Sequence, residues 1–123
     1  MLNQFSRTQL LLGRDGMERL FNARVAVFGI GGVGGYTVEA LVRSGVGALD
    51  LIDDDRVCLT NVNRQIFATR KTVGQYKEDV AEQRIKEINP IAMPAVFRLA
   101  SVVCVPSRYE CASLSILRCF ETG

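Results

Sequence analysis

The stretch RVAVFGIGGVG, at residues 24–34, decides the fold predicted for this chain. Its first five residues are β-prone and end directly in glycines, which is typical of a buried strand in a parallel sheet. Residues 34–44 then carry apolar side chains at helical spacing, and Gly45 is a plausible helix stop. A second β-prone run at 48–52 follows. Strand, glycine turn, helix and strand in this order predict an α/β, Rossmann-like βαβ unit with parallel strands and a right-handed crossover.

Two further helices are predicted outside this unit. Residues 3–22 have a helical pattern with interruptions at Gly13 and Gly16, which predicts two short helices. Their apolar face consists of four side chains, namely Leu10, Leu11, Met17 and Leu20. A polar loop at 56–73 precedes a helix predicted from Gln75 to Ile88, which Asn89 and Pro90 end.

The chain changes character after Pro90. Val96 to Val105 is predicted to form one more strand, although Arg98 interrupts its apolar pattern. Residues 106–123 show no clear period, and no structure is predicted for them. We therefore divide the chain into a regular part at 1–90 and an atypical tail at 91–123.

The composition is that of one modest globular domain. The chain has 123 residues, of which 48% are hydrophobic and 23% are charged. Its net charge of +2 is too small to indicate nucleic-acid binding by electrostatics alone. Neither a signal peptide nor a membrane span is predicted, and the four cysteines form no C-x-x-C pair, so we expect a reduced, cytoplasmic protein without membrane contact. The absence of histidine excludes histidine-based catalysis and histidine metal ligands within this chain.

The glycines at Gly29, Gly31, Gly32 and Gly34 form a G-x-G-x-x-G motif between a strand and a helix. Glycine allows the backbone to turn tightly and to approach phosphate oxygens that a Cβ atom would block. The start of the following helix directs free N–H groups and a positive dipole end at the same place. The motif therefore predicts a nucleotide site, whereas Gly35 is predicted only to permit close packing.

Asp53 ends the second predicted strand, 19 residues after Gly34. A carboxylate at this point can accept hydrogen bonds from the hydroxyl groups of a ribose. An NAD-dependent oxidoreductase would fit these first two signals equally well, and a plain strand cap is the structural alternative for Asp53.

The cluster N-x-N-R-Q at 61–65 favours a nucleoside triphosphate over NAD. A triphosphate needs cationic and amide donors beside the glycine turn. Arg64 offers a planar fork for phosphate oxygens, Asn61 a neutral donor, and Lys77 a point charge at the start of the next helix. Each cation alone would more often be a solvated surface residue, so the prediction depends on their joint spacing.

Residues 7–90 resemble the superfamily of ThiF, MoeB and the ubiquitin-activating enzymes. Its pattern is GxGGxG, D-x-D, N-x-x-R-Q and a lysine, and the positions that match here are Gly29 to Gly34, Asp53 with Asp55, Asn61 with Arg64 and Gln65, and Lys77. The strings GIGGVGG, LIDDDRVCLTNVNRQI and RIKEINP are most similar to the tRNA threonylcarbamoyladenosine dehydratases. This resemblance implies that Arg64, Lys77 and Arg7 are catalytic, and that Arg7 reaches into the ATP site of the other subunit of a homodimer.

The resemblance also implies a reaction and its partners. The family uses ATP with Mg²⁺ to adenylate the threonyl carboxylate of a modified tRNA base, after which the ureido group closes a ring and expels AMP. Family members run to roughly twice this length. We therefore expect the acid that holds Mg²⁺, the lid of the ATP site and the surface for tRNA to lie in a missing second half. A truncated or frameshifted gene product is the favoured interpretation. Such a chain would have an open sheet edge and at best weak ATP binding.

Two alternatives stay open at this point. One is an adenylyltransferase for a ubiquitin-like sulfur-carrier protein, with a carrier or a desulfurase as its partner. The other belongs to a different class, an inactive nucleotide-binding remnant that acts only through protein association.

Overall fold

The computed structural model describes residues 2–98, together with the backbone of two strands further along the chain. The helices and strands, in chain order, are α1 (Ser6–Phe21), β1 (Arg24–Phe28), α2 (Gly32–Ser44), β2 (Ala48–Ile52), a 3₁₀ turn (Leu59–Asn61), α3 (Lys77–Ile88), β3 (Met93–Phe97), β4 (Tyr109–Ser113) and β5 (Ile116–Cys119). The predicted α/β class and the βαβ unit are confirmed. Among the described residues, no helix is both long and apolar enough to cross a membrane.

One five-stranded sheet has the order β3-β2-β1-β5-β4. The three strands β1, β2 and β3 are parallel, with Arg24 opposite Ala48 and Ala48 opposite Met93. Because parallel strands in register end together, the last residues of the three strands, Phe28, Ile52 and Phe97, lie side by side. We call this end of the sheet its carboxyl edge, as distinct from the edge strands at its two sides. Ligands bind at this carboxyl edge in open α/β sheets, so the topology places the candidate site there.

Two expectations for the later part of the chain were wrong. The third strand spans Met93–Phe97 rather than beginning at Val96. Pro94 lies within it, and β3 tolerates a proline because it is an edge strand of the sheet. The part of the predicted strand beyond Arg98 lies outside the described residues. The tail forms β4 and β5, and β5 pairs antiparallel with β1, so the edge that we expected to be open is paired.

The core lies between the parallel strands and the helices α2 and α3. Its fully buried side chains alternate along the strands and recur at helical spacing, and they include Val27, Leu49, Leu51, Val38, Val42, Ala81 and Ile85. Gly45 ends α2 in the left-handed conformation, with φ of 100°, as the sequence predicts.

Helix α1 packs less closely than predicted. Gly13 has non-helical angles, which confirms a break at this position, whereas Gly16 continues the helix. No residue of α1 is buried, and Leu10 and Leu11 are 86% and 87% exposed. The contacts of this helix with the rest of the domain include Leu20, which packs against the core, and Met17, which lies close to Gly45. The predicted apolar face is therefore only partly covered.

An ionic cluster joins α2 to α3. Arg84 donates two hydrogen bonds to the Glu39 carboxylate, at 3.1 and 2.9 Å, and Arg43 donates a third at 2.9 Å. Burial raises the pKa of Glu39, but the hydrogen bonds from Arg84 and Arg43 outweigh it, so the net pKa lies below the ordinary value of 4.5. The cluster thus stabilises the packing of the two helices while Glu39 is ionised.

We predict that Glu39→Gln lowers stability by on the order of 1–2 kcal/mol at neutral pH, since it removes the charge that both arginines share. Because the folded pKa of Glu39 is lowered, this stabilisation is fully present above pH 4.5 and is lost as the pH falls through the lower folded pKa. Urea unfolding at pH 7 and over a series of decreasing acidic pH values checks the result. Glu82→Gln, which breaks an exposed pair with Lys86, is the matched control and should change little. An equal effect of the two substitutions would contradict the prediction.

Candidate functional site

The glycine turn connects β1 to α2 and closes tightly on itself. Gly29 has a φ of 82°, a left-handed conformation that favours glycine. Its N–H donates to the carbonyl oxygen of Ile52 at 2.8 Å, which ties the turn to the end of β2. A Cβ atom on Gly34 would lie 1.7 Å from the Gly29 oxygen, so no other residue fits at this position. The turn therefore requires glycine for its backbone conformation, in addition to the predicted access of a phosphate to the main chain.

The middle glycines are open to a ligand. A Cβ atom on Gly32 would meet nothing within 4 Å, and one on Gly31 would meet only the Gln65 amide at 3.7 Å. Gly31 is also the N-cap of α2, where it has no side chain to cover the first N–H groups of the helix. These groups can bind an anion. In contrast, Gly35 faces Ile66 and Phe67 at 3.2 and 3.5 Å, so its predicted packing role is confirmed.

The Asp53 carboxylate accepts a hydrogen bond from the main chain of the glycine turn. One carboxylate oxygen accepts the N–H of Ile30 at 2.6 Å, and the other accepts the N–H groups of Asp54 and Asp55 at 2.8 Å. The residue is only 8% exposed. A carboxylate offers about four lone-pair sites, so three are occupied and roughly one remains for a ribose hydroxyl. The structural role was missed by the sequence argument, and the ribose contact stays a prediction.

The connection from β2 to α3, residues 56–77, folds back over the turn. Val57 exchanges main-chain hydrogen bonds with Gln75 and Gly74, both at 2.8 Å, and Phe67 is buried against α2. Gln65, itself buried, places its amide beside Gly31. The structure thus brings Gln65, the last residue of the N-x-N-R-Q cluster, to the glycine turn.

Asn61 and Arg64 have different local roles. The Asn61 side chain accepts the N–H of Cys58 at 2.9 Å and caps the 3₁₀ turn. The Arg64 guanidinium is exposed and donates to the carbonyl oxygen of Thr60 at 3.2 Å and to Asn63 at 3.0 Å. Within the described part of the chain, no carboxylate neutralises Arg64. Asn61 therefore shapes the connection, while Arg64 keeps an uncompensated charge and further N–H donors.

Lys77 is the second cation at this edge. It is 8% exposed, and its ammonium lies 3.5 Å from a carboxylate oxygen of Asp55. The main-chain N–H of Lys77 also donates a hydrogen bond to the main-chain carbonyl oxygen of Asp55 at 3.0 Å. The pair joins the start of α3 to the end of β2. At 3.5 Å the ion pair is long, and the predicted contact of Lys77 with a phosphate stays a prediction.

The three carboxylates of Asp53, Asp54 and Asp55 come within 4.8 Å of one another. They do not form a convincing Mg²⁺ site, because Asp53 already accepts three N–H groups and Asp55 pairs with Lys77. Exposed acidic groups often lie this close without an ion. Among the described residues we therefore assign no metal ligand.

Arg7 is not brought to the glycine turn of its own chain. The neighbouring Phe5 ring lies 3.5 Å from the position of a Gly45 Cβ, at the end of α2 opposite to the turn. Arg7 itself is exposed. Its predicted role in the site of another subunit stays a prediction.

Four residues at the same edge were not predicted to act together. Arg56 and Arg98 both stack on the Tyr76 ring, with guanidinium carbons 4.0 and 4.1 Å from its centre. Arg98 also donates at 2.8 Å to Glu78, which is fully buried. The polar K-E-D start of α3 was the only sequence feature that indicated this cluster. Glu78 and Arg98 are 20 residues apart, so their ion pair could not be predicted from local spacing.

A model of the ThiF family matches residues 5–102. The chain belongs to the ThiF family. It is 56% identical over 90 residues to the tRNA threonylcarbamoyladenosine dehydratase of Bacillus subtilis, which covers 73% of this chain and 35% of that relative. It is 38% identical over 92 residues to a sulfur carrier protein adenylyltransferase of Thermus thermophilus, covering 73% of this chain and 34% of the relative.

The fold of this chain is also similar to those of solved structures. The Escherichia coli tRNA N6-threonylcarbamoyladenosine dehydratase in complex with ATP superposes with a TM-score of 0.77 and 45% identity, over 78% of this chain and 40% of that one. The chain spans about a third of the length of the curated relatives it matches.

We predict that Gly34→Ala unfolds or strongly destabilises the domain, by about 3 kcal/mol, because the new Cβ collides with the Gly29 carbonyl. Gly32→Ala has room and should leave stability unchanged or slightly higher. It should nevertheless weaken ATP binding roughly tenfold, because the phosphates can no longer approach the backbone. Thermal unfolding and calorimetry separate the two effects. Normal ATP affinity in Gly32→Ala would argue against binding at this turn.

We predict that Asp53→Ala reduces stability and ATP affinity, each by about 1–3 kcal/mol, because it leaves the buried N–H of Ile30 unsatisfied. Asp54→Ala is the matched control, since its exposed carboxylate caps nothing in the turn. Thermal unfolding measures the change in stability, and calorimetric titration measures the change in ATP affinity. Indistinguishable variants would mean that Asp53 neither supports the turn nor contacts the nucleotide.

Proposed function

We propose that this chain forms the nucleotide-binding part of an ATP-dependent tRNA threonylcarbamoyladenosine dehydratase. The observation that carries the proposal is the open glycine turn, with Gln65 against Gly31 and the uncompensated Arg64 beside it in the chain. The 56% identity to a dehydratase and the resemblance to an ATP complex support the same reading. Since the chain covers about a third of that relative, the complete reaction is part of the proposal.

The proposed roles follow from the geometry. The free N–H groups around Gly31 and Gly32 bind phosphate oxygens, while Arg64 and Lys77 balance the negative charge. Asp53 holds the turn in place and offers its remaining lone pair to the ribose. The threonyl carboxylate then attacks the α-phosphorus and pyrophosphate leaves. In the second step the ureido group attacks the acyl carbon, the ring closes and AMP departs. Fixed donors around the phosphates stabilise the charge of this transfer.

Several parts of the proposal depend on residues or chains beyond those described. Mg²⁺ would neutralise the triphosphate, and its ligands are expected elsewhere. Arg7 would act across a homodimer, which fits its position away from its own glycine turn. We propose a cytoplasmic location because the reaction consumes ATP and modifies tRNA.

An adenylyltransferase for a sulfur-carrier protein is the second candidate. The 38% identity to the Thermus thermophilus enzyme supports it. It uses the same nucleotide site and the same first step, with a protein carboxylate in place of the threonyl carboxylate. An inactive nucleotide-binding remnant is the third reading, and it predicts binding of ATP without turnover in any assembly.

We predict that Arg64→Ala lowers the affinity for ATP at least tenfold but leaves adenosine binding unchanged, because the proposed contact of the guanidinium with the nucleotide is to its phosphates alone. Isothermal titration with the two ligands gives the answer. Arg19→Ala, an exposed cation of α1, removes the same charge far from the turn and controls for net charge. A parallel loss for ATP and adenosine would make Arg64 a structural residue.

A chimera tests the proposed reaction. Residues 5–90 of this chain replace the matching part of the Bacillus subtilis dehydratase, and ring closure is assayed on threonylcarbamoyl-modified tRNA. We expect activity within about tenfold of the parent, and none with Gly31→Asp, which fills the open turn. A parallel chimera with the sulfur-carrier enzyme should adenylate its carrier poorly. A folded dehydratase chimera that binds ATP but does not cyclise the tRNA would overturn the proposal.

A further inference from the structure

The connection between β2 and α3 has an unusual charge distribution. The whole chain is nearly balanced, with 15 basic and 13 acidic residues. Residues 56–77 contain five of the basic residues and no aspartate or glutamate, the five being Arg56, Arg64, Arg70, Lys71 and Lys77. Such a segment at the carboxyl edge of the sheet creates a local positive potential that the net charge of the chain does not reveal.

The acidic residues that flank the connection neutralise only one of its five cations. Asp53 binds main-chain N–H groups, and Asp55 pairs with Lys77. On the other side, Glu78 and Asp79 both pair with Arg98. Only Asp54 is left, exposed, against the four remaining cations of the connection.

Arg70 and Lys71 are the most available of these cations. Both are exposed, and no carboxylate of the described residues pairs with either of them. They lie in a turn whose backbone is fixed by Thr72. The Thr72 hydroxyl accepts the N–H of Thr69 and donates to the Phe67 carbonyl oxygen, both at 2.8 Å. Because Phe67 is buried and lies against Gly35 of α2, this turn anchors the backbone of the two cations to that helix.

Contrary to the expectation that the surface for tRNA lies in the missing second half, we propose that residues 56–77 receive the phosphodiester backbone of the RNA substrate, with Arg70 and Lys71 as the outer contacts. Arg64 and Lys77 are the cations proposed for the triphosphate of ATP, which leaves Arg70 and Lys71 without an assigned ligand. Lysine and arginine dominate phosphate contacts, whereas lysine is depleted in protein–protein interfaces. Phosphate contacts of this kind position a substrate without reading its sequence. The inference rests on the proposed function.

The test measures tRNA binding by fluorescence anisotropy from 50 to 200 mM salt. Arg70→Ala with Lys71→Ala should lower the affinity roughly tenfold and reduce the slope of log affinity against log salt by about 2. The control, Arg14→Ala with Arg19→Ala, removes two exposed cations from α1 and should leave the slope unchanged. ATP affinity, measured by calorimetry, should be the same in all three proteins.

Three results would overturn the inference. They are no tRNA binding by the unmutated chain, an equal salt slope in both double variants, and competition by poly-glutamate as effective as that by RNA. The last would assign the surface to an acidic protein instead. The failure of this inference is distinguishable from failure of the proposed function. Normal ATP binding and a cyclising chimera, combined with an unchanged salt slope, would contradict only the role of Arg70 and Lys71.

Discussion

The hydrogen bonds of the Asp53 carboxylate are the constraint on which the site depends. One side chain accepts the N–H groups of Ile30, Asp54 and Asp55, and so fastens the glycine turn to the end of β2. Hydrogen bonds to a charged acceptor contribute about 1.5–3 kcal/mol when buried. Asp53 thus occupies the N–H of Ile30, whereas Gly31, the N-cap of α2, offers no side chain to the first N–H groups of the helix.

Small residues allow the second half of the site to approach the first. Gly34 lets α2 start against the Gly29 carbonyl, and Gly35 admits Phe67 from the connecting segment. Gln65 then reaches Gly31. The connection is irregular in structure, yet its buried residues and its turn hydrogen bonds fix it to α2. The cations it carries are therefore held near the site, although they lie on a loop.

The regular elements were predictable from the sequence because their signals are local. Each signal depends on the conformation of only a few neighbouring residues. Examples are the β-prone run at 24–28, the glycines of the turn and the helix stop at Gly45. The limits of β1 and β2 were accordingly correct. The strand β3 was misplaced because Pro94 argues against a strand in the sequence, whereas an edge strand tolerates a proline.

The contacts at the candidate site were only partly predictable from the sequence. The motif spacing predicted that the glycine turn and residues 61–65 share a nucleotide site, and the structure places the Gln65 amide beside Gly31. It could not show that Asp53 supports the main chain, that Asn61 caps a turn, or that Glu78 pairs with Arg98, because these contacts depend on tertiary geometry. Helix α1 shows the same limit. Helical spacing identified an apolar face but not whether anything within the chain covers it.

The central claim is that ATP binds at the glycine turn beneath the connecting segment. Amide chemical shifts of the ¹⁵N-labelled chain, recorded during titration with ATP, test it most directly. The account predicts the largest shifts at the amides of residues 30–34 and at the Gln65 side chain, with little change along α1. Saturable ATP binding that shifts α1 or the distal end of α3, and leaves residues 30–34 unchanged, would contradict it.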